Sequence, residues 1–316
     1  MIEEVPLKNF QYELKNSKLN YPNCTCNECP RMYFNLLSVG ARGSGKTYNV
    51  VKLCKHYEQN KLIDNDGLIH PLRTIVISPT IDANPIFLQL KSLAQEDIHN
   101  EYSEDLLRTI LEEIKKNKEE TDEYNKYVKA YKEVIKISER RLQQYFKKNP
   151  DIFDILEKHD FQHYDEIPQP KYKVSPVNII VLDDLLCSNA FCMKANSVLT
   201  NAIIKNRHNQ TIFCILSQSV KSIPKVIRLN CSLFFLSKFA CKKVILEDLY
   251  EVVSNVLTPE QFDEIYTKAV EEKYGALVVD NTTEPKRFYR GFSEQLLFIK
   301  NNISPINKEN VKIPTI

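Results

Sequence analysis

Short apolar runs recur along the chain, most followed by a segment of helical period, and this alternation predicts an α/β protein. Tyr33 to Val39 (YFNLLSV) has the aromatic and branched content of a buried strand. From Lys46 to about Glu58 the apolar positions Val50, Val51, Leu53, Cys54 and Tyr57 line one helix face. Arg73 to Ser78 (RTIVIS) is a second strand, stopped by Pro79. Asn178 to Leu182 (NIIVL), Thr211 to Leu216 (TIFCIL) and Leu233 to Leu236 (LFFL) predict three more, with a helix over 192–206 between the first two. Strands separated by helices imply right-handed crossovers and a mainly parallel sheet covered by helices on both faces.

A different pattern interrupts this alternation. Ser103 to Asn149 contains no Gly or Pro, is dominated by charge, and carries a stripe of Leu107, Ile110, Leu111, Ile114, Tyr124, Tyr127, Val128, Tyr131, Val134 and Ile135. It predicts a long helix broken into two, capped by Ser103, with Glu104 and Asp105 at the positive end of the dipole and Pro150 closing it. A helical hairpin packed on the main body is the simplest reading, and a coiled-coil partner surface the other. Residues 1–31, broken by Tyr21-Pro22 and Cys29-Pro30, predict an N-terminal arm. Past residue 241 helices are expected, then a terminal hairpin from Ala276–Val279 and Arg287–Tyr289, and a loose tail from Asn301. The organisation expected is an arm (1–31), one domain (32–300) with an insertion at about 103–149 and C-terminal helices and hairpin at about 241–300, and a tail (301–316).

Composition excludes several classes. Of 316 residues, 43% are hydrophobic and 27% charged, so a disordered or collagen-like chain is ruled out. No apolar run approaches the roughly 18 residues of a spanning helix, so no membrane partner is expected. The charged N-terminus MIEEVPLKNF lacks the apolar core of a secretory signal and predicts a protein that stays in the cell that makes it. Forty-three basic against 41 acidic residues leave +2, so any nucleic-acid surface must be local. Nine cysteines in such a compartment read as reduced thiols. Cys24, Cys26 and Cys29 form C-x-C-x₂-C, which hints at metal, but no fourth Cys or His occurs before Cys54 and His56, so free thiols are expected.

Glycine is scarce at six, and three of the six fall in one window. Gly40, Ala41, Arg42, Gly43, Ser44, Gly45, Lys46 and Thr47 read GARGSGKT, matching G-x-x-x-x-G-K-[ST] between a predicted strand and a predicted helix. In this motif backbone N–H groups wrap the phosphates, the lysine reaches the terminal phosphates and the hydroxyl binds Mg²⁺; Lys46 and Thr47 take those roles. The fold expected is therefore a P-loop NTPase. Such a site needs a carboxylate at the end of a neighbouring strand, and NIIVLDD supplies Asp183 for the Mg²⁺ side and Asp184 to orient or activate water. ATPases with a second catalytic carboxylate usually carry Glu there, so the shorter Asp184 leaves open slower catalysis or a nearer water. Thr211 to Gln218 (TIFCILSQ) would bring Ser217 and Gln218 to the same sheet edge, where Gln218 can sense the γ-phosphate.

GARGSGKT, RTIVISPT, NIIVLDD, Arg207-His208 before TIFCILSQ, and IRLNCSLFFL from Ile227 together resemble the genome-packaging ATPases of large DNA viruses. The similarity is to the poxvirus-type branch of the FtsK–HerA superfamily, found also in virophages and Polinton-like elements, and spans about residues 32–240. The resemblance implies a pentameric or hexameric ring that hydrolyses ATP with Mg²⁺ to drive double-stranded DNA into a capsid. Capsid or portal-vertex proteins would be its partners, and the cytoplasm or viral factory of an infected cell, or the virion, its location. A ring ATPase places an arginine of one subunit against its neighbour's nucleotide, and Arg207 and Arg228 lie in matching segments. Lys221, Lys225, Lys242 and Lys243 are candidates for DNA phosphate contacts, and His208 reads as a structural contact. The competing classes are a P-loop kinase or other NTPase, and a nucleotide-gated DNA-binding or assembly protein with little turnover. The N-K-x-D tetrapeptide usual in GTPases does not occur.

Overall fold

The computed structural model describes residues 20–83, 85–185, 189–191, 197–239, 250, 257–283, 286–292 and 294–296. In chain order, Asn23–Cys24 (β1) precedes Asn35–Val39 (β2), helix Lys46–Gln59 (α1), Leu62–Ile63 (β3), Ile69–His70 (β4), Leu72–Ile77 (β5) and Leu93–His99 (β6). Helices Glu104–Val134 (α2), Glu139–Lys148 (α3) and Pro150–Glu157 (α4) follow, then Val177–Asp183 (β7), Val198–Ile204 (α5), Thr211–Ser217 (β8) and Lys225–Leu229 (α6). Leu233–Ser237 (β9), Pro259–Ala269 (α7), Ala276–Asp280 (β10), Arg287–Arg290 (β11) and Glu294–Gln295 (β12) complete it.

Nine strands form one sheet in the order β12-β11-β10-β9-β2-β8-β7-β5-β6, parallel from β9 to β6 and antiparallel from β10 outward. The mainly parallel sheet and the β10–β11 hairpin are as the sequence predicts; the hairpin extends the main sheet by pairing Ala276 through Asp280 with β9. Every residue of β2, β7, β8 and β9 is buried, which is why these strands read as continuous apolar runs. One face is covered by α1, through Val50, Leu53 and Tyr57, with Met32 and Tyr33 beside it. The other is covered by α2, α5 and α7, through Leu107, Ile110, Leu199, Ile203, Phe262 and Ile265.

Three differences from the sequence reading have clear causes. Pro150 does not close the helical segment: α3 ends at Lys148 and Pro150 opens α4 at its first turn, where the missing N–H costs nothing. Only the first half of α2 packs on the sheet; Tyr127 and Ala130 join Leu156 and Ile167 in a separate small core, so the insertion is a three-helix lobe rather than a hairpin. Strand β6 was not predicted, because its centre holds charge. There Asp97 is buried against Arg73 of β5, whose Nη2 donates to Asp97 Oδ1 at 2.7 Å and to Glu113 Oε1 of α2 at 2.9 Å.

In the described part of the segment expected as an arm, β1 pairs with β3 in a small antiparallel sheet, β1-β3-β4, next to the end of α1. The fold groups Cys26 and Cys29 with His56, which the sequence reading sets aside as too far along the chain to complete the cysteine run. Of the helix predicted over 192–206, α5 is the described part, and residues 192–196, Lys242, Lys243, the arm before Asn20 and the tail from Asn301 lie outside the described residues. No helix among the described residues is long and apolar enough to cross a membrane.

Candidate nucleotide site

The loop Gly40–Gly45 leaves the sheet at the carboxyl ends of the central strands. Gly40 N donates to Ser217 O at the end of β8, and Ala41 N to Lys238 O just beyond β9. Gly45, with φ 99°, caps α1 without a side-chain acceptor, and the first helical turn carries no acid. The helix therefore presents free N–H groups and its positive dipole end to the loop, as an anion requires. At Gly40 a Cβ would come within 2.5 Å of Ser44 Oγ and 2.8 Å of Ser237 Cβ, so only glycine allows the loop to close this tightly. Above Gly43, at φ 73°, there is open space. Ser44 Oγ is buried without a hydrogen-bond partner.

Lys46 Nζ donates to Gly40 O at 3.0 Å and Ala41 O at 2.9 Å, an arrangement in which the ammonium borrows the loop's own carbonyls. Burial lowers its pKa, while Asp183 and Asp184 pull it up. Thr47 Oγ1 donates to Asp183 Oδ2 at 3.4 Å, joining the first turn of α1 to the last residue of β7 across 136 positions of sequence. Asp183 is 6% exposed, and burial, reinforced by the Asp184 charge, raises its carboxyl to about 6 against the pull of Lys46 and Thr47. A carboxylate held so far from water beside a threonine hydroxyl has the hard-oxygen chemistry that Mg²⁺ takes. The residues present thus fit a Mg²⁺-nucleotide: a glycine cradle, an unpartnered hydroxyl, an ammonium and a desolvated carboxylate.

Asp184 adopts φ 55°, a left-handed conformation that Asp tolerates better than most residues. At this turn after β7, Gln218 Nε2 donates to Asp184 Oδ1 at 3.1 Å. The contact follows from strand order, because β8 lies between β2 and β7 and Gln218 emerges between the loop and the acidic pair.

Other predicted residues lie elsewhere. Arg207 is in the exposed turn before β8, and β8 spans seven residues, about 20 Å of strand, so Arg207 sits at the sheet end away from the loop. Arg228, on α6, is near the same end: Asn230 O, just after that helix, accepts from Asn35 Nδ2 at the start of β2. Arg228 Nε is buried without a hydrogen-bond partner. The chain does not bring either arginine to its own nucleotide site. His208 is exposed in the turn with Arg207, and Lys221 and Lys225 are exposed beyond the end of β8.

One neighbour of the loop escaped the sequence reading. Tyr274, at φ 65°, packs so closely on Gly45 that a Cβ there would lie 2.8 Å from the Tyr274 Cβ. Asn49 Nδ2 on α1 donates to Tyr274 O at 3.1 Å, and the exposed Tyr48 and Tyr274 rings lie 5.5 Å apart. The one signal was the glycine at 275, which closes a tight turn against Ala269 O.

No protein-family model and no curated protein matches the chain. Among solved structures it is similar to the genome packaging NTPase B204 from Sulfolobus turreted icosahedral virus 2 in complex with AMP, at 11% identity over 79% of this chain and 94% of that one, TM-score 0.42. It is also similar to EssC (ATPases 2 and 3) from Geobacillus thermodenitrificans, at 16% identity over 78% of this chain and 37% of that one, TM-score 0.36. A third is Thermomonospora curvata EccC (ATPases 2 and 3) in complex with a signal sequence peptide, at 9% identity over 80% and 37%, TM-score 0.41.

Proposed function

We propose that the chain is a Mg²⁺-dependent ATPase that drives double-stranded DNA into a capsid as a homo-oligomeric ring. The contact between Thr47 Oγ1 and Asp183 Oδ2 carries the ATPase reading, because it unites the two halves of a metal-phosphate site that the sequence places far apart. Bound Mg²⁺ would supply charge neutralisation at the phosphates, held by Thr47 and Asp183. Lys46 exchanges its loop carbonyls for phosphate oxygens, and the N-terminus of α1 balances the remaining negative charge. Asp184, fixed by Gln218, orients and deprotonates the attacking water. The Tyr48 and Tyr274 rings offer an aromatic surface to the base. DNA and capsid as partners rest on the sequence resemblance, and the position of Arg207 and Arg228 away from their own loop agrees with action on a neighbouring subunit.

ATP hydrolysis measured with and without Mg²⁺ and duplex DNA tests both levels. Mg²⁺-dependent turnover, reduced to background in Lys46→Ala and increased by duplex DNA, is the expected result. Near wild-type turnover in Lys46→Ala overturns the nucleotide site. Turnover indifferent to DNA overturns the motor and leaves another NTPase. Mixing Arg207→Ala or Arg228→Ala protein with Lys46→Ala protein should restore part of the activity if the arginine acts in trans, since a mixed ring then holds some complete interfaces.

A further inference from the structure

Two cysteines of the N-terminal segment and one histidine of α1 form a cluster that the nucleotide site does not use, with a third cysteine, Cys24, near it. Cys26 Sγ, Cys29 Sγ and a ring nitrogen of His56 all lie within 4.8 Å of one another, with His56 Nε2 3.2 Å from Cys26 Sγ. The Cys24 thiol lies near enough to that of Cys29 for the two to interact electrostatically. Ligand atoms around tetrahedral zinc, with bonds of about 2.0 to 2.3 Å, stand roughly 3.5 to 3.8 Å apart, so little movement closes this set on a metal ion. We propose that Cys24, Cys26, Cys29 and His56 bind one structural Zn²⁺ that fastens the N-terminal segment to the far end of the phosphate-loop helix.

Four independent parts of the local fold converge on this set. Cys26 and Cys29 have the two-residue spacing of a zinc-binding turn, and Cys29 N donates to Cys26 O at 3.2 Å, which turns both thiols to one side. Pairing of β1 with β3 places Cys24 beside them, and Thr25 N donating to Lys61 O at 2.9 Å holds the segment against the residues just past α1. His56 stands in the last turn of α1, and Asn60 Nδ2 donates to His56 O at 2.8 Å, fixing that end of the helix. Arg287 Nη1 donates to Asn27 O at 3.2 Å, so a guanidinium lies on the loop where a tris-thiolate zinc centre would carry one net negative charge.

The chemistry selects the metal. Three thiolates and an imidazole are a soft, borderline set that favours Zn²⁺ over the oxygen-seeking Mg²⁺ and Ca²⁺. Four protein ligands leave no open position for water, the mark of a structural and not a catalytic centre. The thiol protons pass to solvent on binding, releasing the Cys26 S–H that Glu28 accepts. His56 follows Lys46 by ten residues on one helix, so the metal would sit about 15 Å along α1 from the phosphate loop.

Metal content of the full chain, purified under reducing conditions without chelator, tests this independently of any ATPase activity. About one zinc per chain is expected, and replacement by Co²⁺ should give the intense visible bands of a tetrahedral cobalt thiolate. Cys29→Ser and His56→Ala should each lower zinc content at least about tenfold, while Cys231→Ser, whose thiol lies in the other core, should leave it unchanged. Wild-type protein that holds less than about a tenth of an equivalent after dialysis against zinc and gives no cobalt bands overturns the proposal. So does full retention of zinc in a Cys26→Ser/Cys29→Ser variant. Should a ligand variant fail to fold, the wild-type zinc content and cobalt spectrum decide the matter alone.

Discussion

Replacing Asp183 by Asn should stabilise the nucleotide-free protein while abolishing its activity. Burial holds the Asp183 carboxyl at about 6 against an ordinary value of 3.8. Each pH unit of such a difference is worth about 1.4 kcal/mol, so keeping this carboxylate ionised costs the folded state about 3 kcal/mol at neutral pH. The sign follows from the direction of the rise. Below 3.8 the group is protonated in both states and costs nothing; the cost grows as pH increases and is complete above about 6. Asn keeps the shape and still accepts from Thr47 Oγ1, but has no charge to desolvate. Urea unfolding of both proteins without nucleotide or Mg²⁺ should show the variant more stable by about 1 to 3 kcal/mol at pH 7.5, with the gap closing by pH 4. Mg²⁺-dependent ATP hydrolysis should fall to background. A variant less stable at pH 7.5, or a gap that does not change with pH, would refute the argument that Asp183 is held in a costly ionised state awaiting a cation.

Asp184→Asn should retain Mg²⁺-nucleotide affinity within a few-fold and lose hydrolysis by about 10² or more, because Asp184 faces Gln218 and not Thr47; equal loss of binding, read by titration calorimetry, would move it into the metal shell. Gly45→Ala should cost about 1 to 3 kcal/mol in urea unfolding and weaken ATP binding with it, since the added Cβ meets both a left-handed backbone and Tyr274; unchanged stability would contradict the tight contact described. Arg73→Met leaves Asp97 buried without its cation and should cost about 3 to 5 kcal/mol, while adding Asp97→Leu should recover much of that loss, and an additive double variant would show that the pair does not interact.

The strands that carry the site were legible because they are buried on both faces and therefore spell unbroken apolar runs, as in NIIVLD and TIFCILS. The glycine window was legible because its backbone angles admit few other residues. What stayed hidden depends on partners remote in sequence. Strand β6 looks like loop until Arg73 is known to neutralise Asp97, and two-residue strands such as β1 and β3 exist only through each other. His56 reads as one more polar position in a helix, since its ring meets the cysteines only when the segment before β2 folds back along α1. Tyr274 stands 229 positions beyond Gly45, and nothing in its own neighbourhood announces that it ends against the phosphate loop.

That last contact has a thermodynamic consequence. Tyr274 immediately precedes the turn into β10, the first antiparallel strand of the sheet, and its backbone and ring press on Gly45 and Asn49. Any free energy by which a nucleotide in the loop favours one position of Tyr274 over another must act back with equal size, so whatever grips the chain after α7 and shifts that residue changes nucleotide affinity by the same factor. A tyrosine wedged beside a phosphate loop thus makes the C-terminal strands a place where load on the molecule is converted into a binding constant.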